Sequence, residues 1–106
     1  MTILEALQSM LEYENDNLLA KALIDQGVSN TAATYTAANE KDVDLSAADI
    51  YLILLNHPEF REGSKYVKYT SESLLALRHA LLIKHGVIAA GGVISVPQDS
   101  SYQKLW

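Results

Sequence analysis

The stretch that decides the fold class is residues 71–86, which read SESLLALRHALLIKHG. Its apolar residues recur at spacings of three and four, which indicates an α-helix. Thr70 or Ser71 can cap the start of this helix, and Gly86 can end it in the left-handed conformation that glycine tolerates. Leucine and isoleucine cover more than one side of the helix. We therefore expect it to be central in a helical bundle or shared with another subunit.

Two further helices are predicted near the N-terminus. The first spans about residues 2–13 and opens with a capping box, in which the side chains of Thr2 and Glu5 each accept from the other's backbone N–H. The second follows an N-cap within Asn15-Asp16-Asn17 and ends at Gly27, which suits the left-handed position after a helix.

The remaining helix ends near Asn56, because Pro58 disfavours helix at the preceding residue and cannot continue one. The sequence allows more than one start for this helix: Thr36 or Asn39 could cap a long helix, and Ser46 could cap a shorter one. We prefer the long helix, because one apolar stripe already runs through Val43, Ala47, Ile50 and Leu54.

Two segments do not follow a helical period. Residues 66–69 (YVKY) alternate in the manner of a short strand, and residues 87–106 contain Gly91-Gly92 and end on the only tryptophan. The resulting prediction is an all-α four-helix bundle in residues 1–86, with a short extended element near 66–69 and an extended C-terminal tail in residues 87–106. This tail could fold back on its own bundle, lie on a neighbour or add a strand to a partner's sheet. The residues assigned to the monomer core are Leu7, Leu11, Leu23, Ile50, Leu54, Leu77 and Leu81.

Composition limits the class of protein. The 106 residues, 11.7 kDa, suffice for one domain, and the absence of cysteine excludes disulfides and thiolate metal sites. A net charge of −5 argues against a general polyanion binder, which needs clustered lysine and arginine. The N-terminus lacks the basic and apolar regions of a signal peptide, and no apolar run is long enough to span a bilayer. We therefore expect a soluble, cytoplasmic protein that does not bind membranes.

No motif for catalysis or cofactor binding is found. The sequence has no glycine-rich phosphate loop, nucleophile elbow or His-Glu-x-x-His zinc motif. Asp42-x-Asp44-x-Ser46 copies the first ligands of an EF-hand loop, but its sixth position is Ala47 and its twelfth is Ile53. We predict that the protein is not an enzyme and binds no cofactor or metal.

Charge is distributed unevenly along the chain. Residues 1–59 hold ten acids and two lysines, a net of −8, and residues 60–106 hold six basic groups and three acids, a net of +3. If the two halves present different surfaces, copies could associate head to tail. The alternative is that both sets of charges are mixed over one solvated surface.

The residues also carry a resemblance, in the segments 21–27 (KALIDQG), 35–41 (YTAANEK), 49–55 (DIYLILL), 62–71 (EGSKYVKYTS) and 84–86 (KHG). This order resembles small phage- and prophage-encoded proteins related to head–tail connectors, the head-completion or adaptor proteins of tailed bacteriophages. The resemblance covers roughly residues 1–86. The segment before the last helix, about a dozen residues, is shorter than the polar loop such families often have there.

The resemblance implies a mostly helical subunit that forms a ring beneath the portal and joins capsid to tail. Its partners would be identical subunits and the portal and tail proteins, in the bacterial host cytoplasm or the virion. A DNA channel lets the polyanion slide, so no specific nucleic acid binding is implied. The residues predicted for the oligomer interface are Leu75, Arg78, Leu82, Val93, Ile94 and Trp106.

Three other classes of protein remain as alternatives. The first is a small cytosolic protein–protein interaction module without a phage role. The second is a helix-turn-helix regulator, for which only the last helix, with Arg78 and Lys84, carries basic residues. The third is a small enzyme, for which the sequence supplies no nucleophile–base pair.

Overall fold

The predicted all-α fold is confirmed. The computed structural model describes residues 1–62 and 65–88, and within them it has four α-helices and no strand. The helices are α1 (Ile3–Leu11), α2 (Asp16–Asp25), α3 (Glu40–Asn56) and α4 (Ser71–Lys84), and three short 3₁₀ helices occupy Ala37–Asn39, Pro58–Arg61 and Lys65–Lys68. The predicted extended tail lies outside the described residues from position 89 onward.

The helices begin at the predicted caps. In the capping box of α1 the Thr2 N–H donates to Glu5 Oε1 at 2.8 Å, and the Glu5 N–H donates to Thr2 Oγ1 at 3.1 Å. Asn15 and Thr70 each accept from the backbone N–H three residues ahead, at 3.2 and 3.0 Å. These bonds satisfy donors that a helix start otherwise leaves orphaned, so the boundaries follow from local chemistry.

The end of α2 and the end of α4 also follow the prediction. Gly27 and Gly86 have positive φ angles of 98° and 72°, which only glycine adopts without strain. The long version of the third helix is confirmed as well. The chain enters it through the 3₁₀ turn Ala37–Asn39, in which the Thr36 N–H donates to Asn39 Oδ1 at 3.0 Å.

The central helix is α3, which packs against α1, α2 and α4. This corrects one expectation for the last helix, since α4 packs mainly on α3 among the described elements. Small side chains explain the difference: Ser46, Ala47 and Ala48 are fully buried and let neighbouring helices approach the α3 backbone closely. The apolar residues of α4 are spread around its axis, so several of them stay exposed.

The predicted extended element near 66–69 is wrong, because Lys65–Lys68 form a 3₁₀ helix. The Tyr69 N–H donates to the Tyr66 carbonyl at 3.1 Å, and the two rings meet edge to face with centroids 5.2 Å apart. Tyr66 turns inward, is 1% exposed, and its hydroxyl donates to the Leu11 carbonyl at 2.7 Å. The segment therefore curls because this tyrosine is held against the end of α1.

The core agrees closely with the residues assigned to it. Leu7, Leu11, Leu23, Ile50 and Leu54 are each fully buried, and they belong to one hydrophobic cluster. The two α4 residues of that set, Leu77 and Leu81, are only partly buried and pack against the cluster. The core is thus centred on α1, α2 and α3, with α4 along one side.

Ser46 contributes an unfavourable feature to this core. Its hydroxyl is buried and has no hydrogen-bond partner. A buried hydroxyl without a partner costs about 1–3 kcal/mol. We therefore expect Ser46→Ala to raise the free energy of unfolding by about 1 kcal/mol in chemical denaturation. Ser9→Ala, at an exposed position of α1, corrects for the higher helix propensity of alanine, and an equal gain in both variants would contradict this expectation.

Candidate functional site

Arg78, a polar residue of α4, faces inward on α3. The Arg78 guanidinium donates to the Ala48 carbonyl at 2.9 Å and lies 3.7 Å from the Asp49 carboxylate. Gln26 donates to the same carboxylate at 2.8 Å. Arg78, predicted at an oligomer interface, thus joins α4 to α3, and Asp49 extends the connection to the end of α2.

A second polar cluster joins the end of α4 to the start of α3. Asp44 is 6% exposed, and its Oδ2 atom lies 2.7 Å from His85 Nε2 and 2.8 Å from Lys84 Nζ. Because an ionised carboxylate only accepts, the His85 Nε2–H is the donor. Burial alone would raise the pKa of Asp44, but hydrogen bonds from Lys84 and His85 outweigh burial and leave the pKa below its usual value.

Much of the opposite charge of the two halves of the sequence is paired within one chain. Basic groups after residue 60 pair with acids before it, in Lys65–Glu12 at 3.6 Å, Arg78–Asp49 at 3.7 Å and Lys84–Glu40 at 3.2 Å. The separation along the sequence therefore helps to dock α4 and the 3₁₀ segment onto the first three helices. Because these groups are paired within the chain, fewer charged groups remain for a contact between copies.

The side of α4 that faces away from α3 is mostly apolar and also carries the polar residues Glu72 and His79. We define the outer face of α4 as the apolar residues that lie on this side of the helix or directly follow its end. They are Leu75, Ala76, Ala80, Ile83 and Val87. Leu75 is 39% exposed and Val87 is 54% exposed, and both alanines are exposed. No described element packs across this face in the way that α3 packs across the opposite one.

A shallow groove of about 230 Å³ lies between α2 and α3. Its lining residues are Leu18, Lys21, Ala22, Asp25, Asp49, Leu52 and Ile53, and we define them as the α2/α3 groove. Its lining is mostly apolar, and Asp25 and Asp49 contribute acidic groups. Ligand pockets commonly measure about 300–1,000 Å³, so this groove is small for a cofactor.

The predicted interface residues fall in different places. Leu75 is on the outer face of α4, and Arg78 is held by α3. Leu82 is 8% exposed, although by helical spacing it lies on the side of Leu75, seven residues earlier. Val93, Ile94 and Trp106 lie outside the described residues. Of the three members within the described residues, only Leu75 shows apolar surface that a neighbouring subunit could cover.

Sequence reasoning missed the groove. A usable signal was present in the apolar run at residues 50–55, where Ile50 and Leu54 take one side of α3 and leave Leu52 and Ile53 on another. The fully buried pair faces the core, and the other pair lines the groove.

No metal-binding arrangement is present among the described side chains, where no three His, Asp or Glu residues are grouped to hold an ion. Asp44, the second residue of the EF-hand-like spacing, instead pairs with Lys84 and His85. Of the described helices, none combines the length and apolarity that crossing a bilayer requires.

Comparison with known sequences places the chain in a family. A family of unknown function, DUF6706, matches residues 1–106. The chain belongs to the DUF6706 family. No curated protein and no solved structure matches it. The DUF6706 match includes both the groove and the residues from 89 to 106, so the C-terminal segment is part of the region that defines the family.

Proposed function

We propose that this DUF6706 protein is a structural assembly subunit that acts through homo-oligomerisation. The specific role we assign to it is that of a head–tail connector-like ring subunit of a phage or prophage, working in the bacterial host cytoplasm or the virion. The observation that carries self-association is the outer face of α4, a mostly apolar surface on a helix that packs mainly against α3 on its other side. The phage role rests on the resemblance of residues 1–86 to connector proteins.

The outer face of α4 suits contact with a second helix. Ala76 and Ala80 lie four residues apart, so they share one side of the helix and allow a partner backbone to approach closely. Leu75 and Val87 flank them and supply larger apolar surface. Burying such surface stabilises an interface by roughly 25 cal/mol for each Å² removed from water.

Mass in solution tests self-association directly. Light scattering over a concentration series should give a mass well above the 11.7 kDa of one chain. Ala80→Glu places a charge in the middle of the outer face and should shift the population to monomer. Ile24→Glu is the matched control, because Ile24 is 60% exposed on α2 and lies on neither the outer face nor the groove. A strict monomer at high concentration, or an Ala80→Glu oligomer like that of the unmodified protein, would overturn the proposal.

The phage role has a separate test in the genome. Reading frames for portal, capsid and tail proteins on either side of the gene would support it, and their absence in several family members would contradict it.

The alternative is a small protein–protein interaction module without a phage role, and the α2/α3 groove is the observation that favours it. A monomer that retains a peptide in this groove would support the module. The same mass measurement separates the two functions.

A further inference from the structure

We propose that the α2/α3 groove binds residues 102–106 of a neighbouring copy, with Trp106 as the side chain that fills it. This inference rests on the proposed self-association and names the contact that would link one subunit to the next.

The size and chemistry of the groove favour a peptide side chain. At about 230 Å³ the groove is small for a cofactor, and its floor of Leu18, Ala22, Leu52 and Ile53 favours an apolar group. Residues 102–106 (YQKLW) offer two aromatic rings and a leucine, including the only tryptophan of the chain. A large aromatic side chain in a small apolar groove is the usual anchor of an interface.

The direction of α4 sets how far the C-terminal residues must extend to reach a groove. Arg78 contacts Ala48 and Lys84 contacts Glu40, so α4 runs antiparallel to α3 and the chain leaves at the N-terminal end of α3. The groove lies beside residues 49–53, in the opposite direction. Eighteen residues follow Ile88, and at about 3.3 Å per residue they can span up to roughly 60 Å, enough to reach the groove of the same chain or that of an adjacent subunit. The choice of a neighbour rests on the proposed self-association, and the mixing experiment below tests it.

A groove and a segment placed in this way are different patches of one subunit. When different patches of identical subunits bind each other, the contact is heterologous and repeats head to tail, closing a ring if the rotation allows. The proposed contact thus has the symmetry that a ring subunit needs.

Trp106 fluorescence provides the test in the full chain, because no other tryptophan contributes. In the unmodified protein we expect blue-shifted emission and several-fold weaker quenching by acrylamide than for free tryptophan. Leu52→Gln makes the groove polar at a half-buried position outside the main core cluster, and it should shift the emission to the red and restore quenching. The matched control, Ile24→Gln, changes an exposed apolar residue of α2 outside the groove and should leave the emission unchanged.

Mixing two variants then identifies whose groove is filled. Trp106→Ala keeps an intact groove and has no tryptophan, and Leu52→Gln keeps Trp106 and has an altered groove. If the segment binds a neighbour, an equimolar mixture should regain blue-shifted emission. Burial of Trp106 in the unmodified protein with no recovery on mixing would show docking within one chain and overturn the inference.

The outcomes separate this inference from the proposed function. The protein could form an oligomer by mass while acrylamide quenches Trp106 as strongly as free tryptophan, or while Leu52→Gln leaves the emission unchanged. Either result overturns the groove contact and leaves the proposed self-association standing. A strict monomer overturns both.

Discussion

Replacing Tyr66 by alanine is expected to lower the free energy of unfolding by about 3–5 kcal/mol, the range for removing a large buried aromatic side chain. Tyr66 is 1% exposed, and its ring meets Tyr51 edge to face with centroids 6.0 Å apart. Its hydroxyl also donates to Leu11, so alanine leaves both a cavity and an unpaired buried carbonyl. Urea denaturation followed by circular dichroism measures the change.

Two further variants at this site separate packing from hydrogen bonding. Tyr66→Phe keeps the ring and removes the bond to Leu11, so its cost should be about 1–2 kcal/mol. Tyr69→Ala removes a tyrosine that is 36% exposed in the same segment and should cost clearly less than Tyr66→Ala. Equal losses for the two alanine variants would show that Tyr66 does not hold the 3₁₀ segment against α1.

Replacing Asp44 by asparagine is expected to destabilise the protein by about 2 kcal/mol at neutral pH, the scale of a hydrogen bond to a charged group. The carboxylate is almost fully buried between Lys84 and His85, whereas Lys84 is half exposed and recovers part of its hydration. The substituted amide keeps the shape of the side chain and loses the charge that both partners contact. Thermal or urea unfolding at low salt measures the difference.

This loss depends on pH in a defined direction. The pKa of Asp44 is lowered in the folded state, so its ionised form stabilises the protein above the unfolded-state pKa of about 4. That contribution disappears as pH falls through the lower, folded-state pKa. The stability difference between the unmodified protein and Asp44→Asn should therefore shrink as the pH falls from about 4 towards 2.

Asp42→Asn is the control for this measurement, because it makes the same change in the same turn of α3 at a less buried position. It should cost only a few tenths of a kcal/mol, through the helix dipole. An acid-limb response of the same size in both variants would contradict the role of the Lys84 and His85 contacts.

Much of the fold could be predicted from the sequence, because the deciding interactions are local. The Thr2–Glu5 capping box, the Asn15 and Thr70 caps and the left-handed glycines each involve residues within a few positions of one another. Such patterns are visible without knowing the tertiary structure. The apolar stripe of α3 likewise predicted four of its buried residues, Val43, Ala47, Ile50 and Leu54.

The predictions were wrong where contacts between residues far apart in the sequence determine the local structure. Alternation in residues 66–69 is compatible with a strand, but a 3₁₀ turn also brings Tyr66 and Tyr69 together. The contact that selects the turn is with Leu11, 55 residues away. For α4, the count of leucines did not reveal that Arg78 and His85 face α3, since that requires the positions of Asp44 and Asp49. The α2/α3 groove depends in the same way on the spacing of two helices.

The packing of α4 mainly on one helix also affects how the native state fluctuates. A helix held mainly by one neighbour can separate as a unit while α1, α2 and α3 keep most of the shared core, so its amide protons should exchange with solvent faster than those of α3. Such an opening exposes the surface of α3 that a copy's α4 would also fit. Exchange of this helix between chains, a domain swap, is therefore a low-cost route by which copies of the protein can become interlocked.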